Sequence, residues 1–181
     1  MPATADEVIA TVESARASII SSVRGLSESQ ASFKPASDAW SVTENIEHLF
    51  LAEMSGTSKI WLAADAARRD GGYAGDVPHR GKSIEQVVAE TWKVRETAPT
   101  IATPHIGGPL AYWCTSLAAL GPALEQTGRH LDGLDLAEVV FPHFLSGALD
   151  ARQRLEFLRF HIQRHHDQVR GIMSHASFPT A

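Results

Sequence analysis

Phe157-Leu-Arg-Phe-His161-Ile-Gln-Arg-His165-His-Asp-Gln168 sets two histidines one helical turn apart inside a run of apolar residues. Leu158, His161, His165, Gln168 and Ile172 follow one another at alternating spacings of three and four. On an α-helix such positions share one face, the face that turns toward a core. Asp150 followed by Gln153 is a capping-box start, so a helix is expected from there to about Ser174. Two imidazoles on its buried stripe leave ring nitrogens that need partners in a dry interior. One divalent cation answers that need, because histidines at i and i+4 can converge on it.

Working outward, Val8, Ile9, Val12, Ala15, Ile19, Ile20 and Val23 give a second amphipathic helix over about Asp6 to Arg24, stopped by Gly25. Leu26 to Ala39 is polar, holds Pro35, and reads as a connection with a short helical turn. Ser41 with Glu44 opens another helix through Ile46, Leu49, Leu51, Ile60 and Trp61 to about Arg68. Residues 69–82 form a glycine-rich loop with mobile character, and Ser83 with Gln86 caps a shorter helix through Val87, Val88 and Trp92. After Pro99, Pro104 and Pro109, a third long helix is expected over Leu110 to His130, kinked or split at Gly121-Pro122. No segment alternates with period two and no internal repeat occurs. The expected fold is therefore all-α, an up-down four-helix bundle with long inter-helix loops, in a single domain over residues 1–181.

Composition agrees with a globular protein, with 44% apolar and 20% charged residues. The net charge is −5 and no basic stripe occurs, which argues against nucleic acid as a partner. The first residues lack the basic and apolar regions of a signal peptide, and no apolar run approaches a membrane span. With Cys114 the only cysteine, there is no disulfide framework, and a cytoplasmic location is expected.

Nine histidines are the unusual feature. His48, in the helix opened by Ser41, can supply a third ligand to His161 and His165. Three neutral imidazoles leave a coordination position open, as catalytic sites do, and zinc, nickel or iron would accept them. Glu44 and Gln168, each one turn from a ligand, are candidates to orient a ring or a bound water. The plainer alternative is that these histidines only pack or face solvent. His166 lies off the stripe, and His79, His105, His130 and His175 fall in loops or at helix ends, where surface roles are expected. His143 sits in a loop that can fold over the end of the bundle. Three motifs fail. Gly75 to Ser83 has the wrong spacing for a phosphate loop, His161 to His165 lacks a zincin glutamate, and paired Glu-x-x-His motifs of di-iron bundles are missing. Cys114 reads as a small buried residue, not a nucleophile.

At these residues the chain resembles the DinB-like superfamily of helical-bundle proteins. Trp40-Ser-Val-Thr-Glu-Asn-Ile-Glu-His48-Leu is similar to the family's tryptophan–serine opening of helix two, with a ligand histidine two turns on. Phe157 to Gln168 is similar to its closing helix, and Phe141-Pro142-His143-Phe144 with Gly147-Ala-Leu149 to the preceding loop. The chain departs in having His166-Asp167 where many relatives carry Arg-Gly. The resemblance covers nearly the whole chain. It implies His48, His161 and His165 as a metal triad, a homodimer, and membership among thiol-dependent S-transferases and isomerases that use low-molecular-weight bacterial thiols, or among metal-dependent hydrolases.

Two chemistries suit such a site. A small-molecule thiol can be presented as its thiolate, or a bound water can be brought toward a pKa of about 7. Glu44 and His143 are the candidate catalytic bases, and the loop at 69–82 a candidate gate. Two other readings stand beside the enzyme: a stress-response module whose metal only fastens helices, and a metal-free binding bundle.

Overall fold

The computed structural model describes residues 4–92 and 97–180, apart from the side chain at position 70. The extreme ends of the domain expected over 1–181 lie outside the described residues. The fold is mostly helical: α1 (Ala5–Val23), α2 (Glu28–Ala31), α3 (Val42–Asp70), α4 (Ile84–Thr91), α5 (Leu110–Ala118), α6 (Gly121–Leu131) and α7 (Ala151–Met173), with a 3₁₀ turn at Thr100–Ala102.

Five of these helices begin with a closed capping box, in which the N-cap oxygen accepts from the N3 amide and the N3 side chain accepts from the N-cap amide. The pairs are Thr4 with Glu7, Ser27 with Gln30, Ser41 with Glu44, Ser83 with Gln86, and Asp150 with Gln153. Each satisfies two amides that the start of a helix leaves unpaired. The long helix expected over Leu110 to His130 is split. α5 ends at Ala118, and α6 restarts with Gly121-Pro122 in its first turn, where a missing N–H does no harm.

α1 packs on α7, α7 on α3, α3 on α5 and α6, and these return to α1. Val12, Ile19, Ile46, Ile60, Trp113, Leu117, Leu124, Leu155 and Val169 fill the space between them. Close approach of α3 to α7 depends on Gly56, where a Cβ would lie 3.1 Å from Leu158 Cδ2.

An all-helical chain is corrected in one place. β1 (Val140–His143) and β2 (Gly147–Asp150) form an antiparallel hairpin in register Val140 to Asp150 and His143 to Gly147. Its strands have four residues each and β1 holds Pro142, so the sequence offers no period-two signal. The hairpin and α4 lean on α7 through Ile84, Val87, Leu149 and Phe157. Among the described residues no helix is long and apolar enough to cross a membrane.

Candidate metal centre

α3 and α7 pack against each other, and each contributes histidine from its apolar stripe. His48 from α3 and His161 and His165 from α7 meet there, with one ring nitrogen from each lying within 4.8 Å of the others. His48 and His165 are buried and His161 opens on a cavity. Trp40 packs against His48 at 4.8 Å and stacks on His165 at 6.1 Å, which explains a large aromatic residue just ahead of the Ser41 cap.

Two of the three tautomers are set by groups that can only accept. His48 Nδ1 donates to the Ala102 carbonyl at 2.7 Å. His165 Nδ1 donates to Asn45 Oδ1 at 2.8 Å, and the Asn45 amide is oriented by donating its own NH₂ to the Ser41 carbonyl at 2.8 Å. With both protons on Nδ1, the Nε2 atoms of His48 and His165 carry lone pairs. His48 Nε2 lies 3.1 Å from His161 Nε2, a separation that demands one bridging proton. The donor set of His48, His161 and His165 fits a divalent metal, which these neutral imidazoles would hold. Protonation is opposed throughout. Burial pushes His48 below the ordinary imidazole range, and pushes His161 and His165 well below it, with neighbouring rings and Arg164 adding to the effect.

The cavity above these rings measures about 770 Å³. Its walls come from the 35–40 connection, α3, the 97–102 segment, the hairpin turn at 142–145, and α7. None of the described residues of 69–82 lines it, so the glycine-rich loop does not stand at its mouth. That loop is pinned elsewhere. Gln153 Nε2 donates to the carbonyls of His79 and Lys82, and Arg80 pairs with Glu138. His79, expected at the surface, is buried there. The segments that flank the opening are 97–102, with exposed Ile101, and the turn carrying exposed Phe144.

Glu44 and His143 part company. Glu44 is not among the lining residues; one carboxylate oxygen caps Ser41 N–H and the other accepts from Lys34, both at about 2.8 and 2.7 Å respectively. Burial alone would raise its pKa, but Lys34 and the cap hold it below the ordinary carboxylate value. His143 lines the cavity, lies parallel to Trp92 and meets Phe157 at a tilt. Its Nδ1 accepts from Ser146 N–H at 3.2 Å, which leaves its proton on Nε2. Burial, with Arg154 and Lys59 nearby, pushes its pKa down to about 3. Gln168 lines the outer part of the cavity at an exposed position.

The other histidines do separate things. His130 stacks on Trp61 and bonds Asp65, His175 packs against Phe33, His105 is exposed, and His166 faces a hollow beside α1. Cys114 is half buried against the core, and burial raises its thiol pKa, as suits a packing residue.

Two contributors escaped the sequence reading. Asn45 lies three residues before His48 on the same helical face, a polar residue on an apolar stripe, and that was its available signal. Glu47, 1% exposed, accepts the backbone amides of His105, Ile106 and Gly107, while its neighbour His48 holds Ala102. One turn of α3 thus anchors the 102–107 segment at two points. A family model described as the DinB superfamily matches residues 11–169. No curated protein matches the chain.

Proposed function

The chain belongs to the DinB superfamily, and from that premise we propose that it is a metal-dependent enzyme that transfers a small thiol to an electrophile. The observation that carries the reading is the convergence of His48, His161 and His165, two of them with fixed tautomers, on the floor of an open cavity. A divalent cation held there, whether zinc, nickel or iron, would supply a Lewis acid that favours the anionic form of a thiol or water. The residues do the rest. Asn45 and the Ala102 carbonyl keep two rings facing inward. Trp40 and Phe157 exclude water from the sides of the cluster. His143, neutral and with its free proton on Nε2, serves as a hydrogen-bond donor to a substrate oxygen instead of as a base.

Thiol transfer is preferred over hydrolysis on proton balance. Asp38, exposed at the rim, is the one carboxylate among the described lining residues, so no internal acid–base group stands ready for water. On the same cation a thiol, whose free pKa is near 8.5 against 15.7 for water, loses its proton more readily than water does. Our reading includes the up-down four-helix arrangement and a homodimer, both resting on the family. Its test is a screen of the zinc-, nickel- and iron-loaded protein with N-acetylcysteine and bromobimane analogues of low intrinsic reactivity. Metal-dependent thioether formation, lost in His161→Ala, supports transfer. Release of acid from activated esters or amides without thiol would move the assignment to hydrolysis. Metal binding with neither activity would favour a module in which the metal only fastens helices.

A further inference from the structure

Arg154 is buried at 5% exposure, and its Nε and Nη1 have no hydrogen-bond partner among the described residues. What it touches are ring faces, those of Phe141 at 4.7 Å and Phe157 at 5.8 Å. An uncompensated buried charge is strongly unfavourable, and a fold seldom keeps one without a use for it. Nor does the group escape by losing its proton. Burial lowers its pKa only to about 10, so it is a cation at neutral pH. The side chain lines the same cavity as the histidines, with Lys59 on the exposed wall and Arg164 beside Trp92. Arg154 and Lys59 in this lining stand against Asp38, in a chain whose net charge is −5.

We propose that the cavity takes a small organic acid, its carboxylate held by Arg154 and its reacting end at the three histidines. A guanidinium makes charge-assisted hydrogen bonds to a carboxylate, and the ring faces beside Arg154 compete for none of its donors. Residues 154, 157 and 161 lie on one side of α7, with Phe157 stacked on His161 at 5.5 Å. Seven residues of helix rise put the two backbone positions about 10 Å apart along α7, which gives the scale of the ligand. Phe157 and Trp92 between these points call for an apolar middle. The reacting end rests on the function proposed above; the carboxylate site does not.

The test is calorimetric titration with benzoate, 4-phenylbutyrate and 6-phenylhexanoate, each beside its uncharged amide, on protein as purified and again after chelation. At least one acid is expected to bind roughly tenfold or more tighter than its amide, as a charge-assisted pair should. That preference is expected to survive chelation, to vanish in Arg154→Met, and to persist weakened in Arg154→Lys. If no acid outbinds its amide, or the preference survives in Arg154→Met, the assignment is overturned. Arg154→Met is also expected to melt at or above the wild-type temperature, since it removes an unpaired charge. A melting temperature well below wild type would make Arg154 a structural residue and overturn the assignment as well. Failure of the metal reading would leave acid preference intact, so the two failures are distinguishable.

Discussion

Two buried arginines divide the molecule into two kinds of polar interior. Arg16, 2% exposed between α1 and α3, is bound by Glu53 and Glu13, so its charge is answered within the fold. Burial opposes that charge, but the two carboxylates hold its pKa above the ordinary value. Arg154, at 5% exposure beside the cavity, has no carboxylate partner among the described residues, and the imidazoles nearby face one another across a single shared proton. A polar group closed on its own partners holds a structure together. One left open in a buried place is held ready for something that arrives.

The largest effect that would break this division lies on the closed side. Glu53→Ala leaves Arg16 half-answered in the core, and is expected to lower unfolding free energy by about 3–5 kcal/mol in a urea titration. A loss under 1 kcal/mol would mean that the pair is not what closes this region. On the open side, Asn45→Ala frees the His165 ring, and a loss of about 10- to 100-fold in metal affinity is expected with little change in helicity. Unchanged affinity in a competition assay would show that the Asn45 bond does not matter.

Acid sharpens the contrast further. In metal-free protein His48, His143 and His165 are folded as neutral rings with lowered pKa values. Their contribution is complete above about pH 6.5, where the unfolded chain is neutral too. As pH falls, the unfolded chain takes up protons that the fold refuses, and for His143 this continues down to about 3. Stability should fall from pH 6.5 to 5 by up to about 1.4 kcal/mol per pH unit for each ring. A flat profile over that window would contradict their neutrality. The smallest effect is reserved for Glu44→Gln, which keeps the cap acceptor and loses only the exposed pairing with Lys34. A change of less than about 1 kcal/mol is expected, with metal content intact. Abolished turnover in that variant would restore Glu44 as a base.

Much of this was legible because it is local. Ser41 with Glu44, Ser83 with Gln86, and Asp150 with Gln153 mark helix starts within four residues, and all three boxes close as read. The alternation of three and four from Leu158 to Ile172 placed His161 and His165 on one face, and the structure brings His48 to them. What could not be read depends on long-range closure. The 97–107 segment is held on α3 by Ala102 accepting from His48, 54 positions away, and by Glu47 accepting the amides of residues 105–107. A glycine-rich loop looks like a gate wherever it lies, and only the long-range bonds from Gln153 and the Arg80–Glu138 pair show that 69–82 is tied down. Arg154 continues the face of Phe157 and His161 one turn earlier, but an arginine on an apolar stripe announces nothing until its partners are counted.

Metal content by mass spectrometry tests the central claim most directly, on tag-free protein and on His48→Ala, His161→Ala and His165→Ala beside it. The account predicts close to one divalent metal per chain, lost in each variant while the helical signal survives. No stoichiometric metal after reconstitution with zinc, nickel, iron and manganese, or metal retained in all three variants, would contradict it.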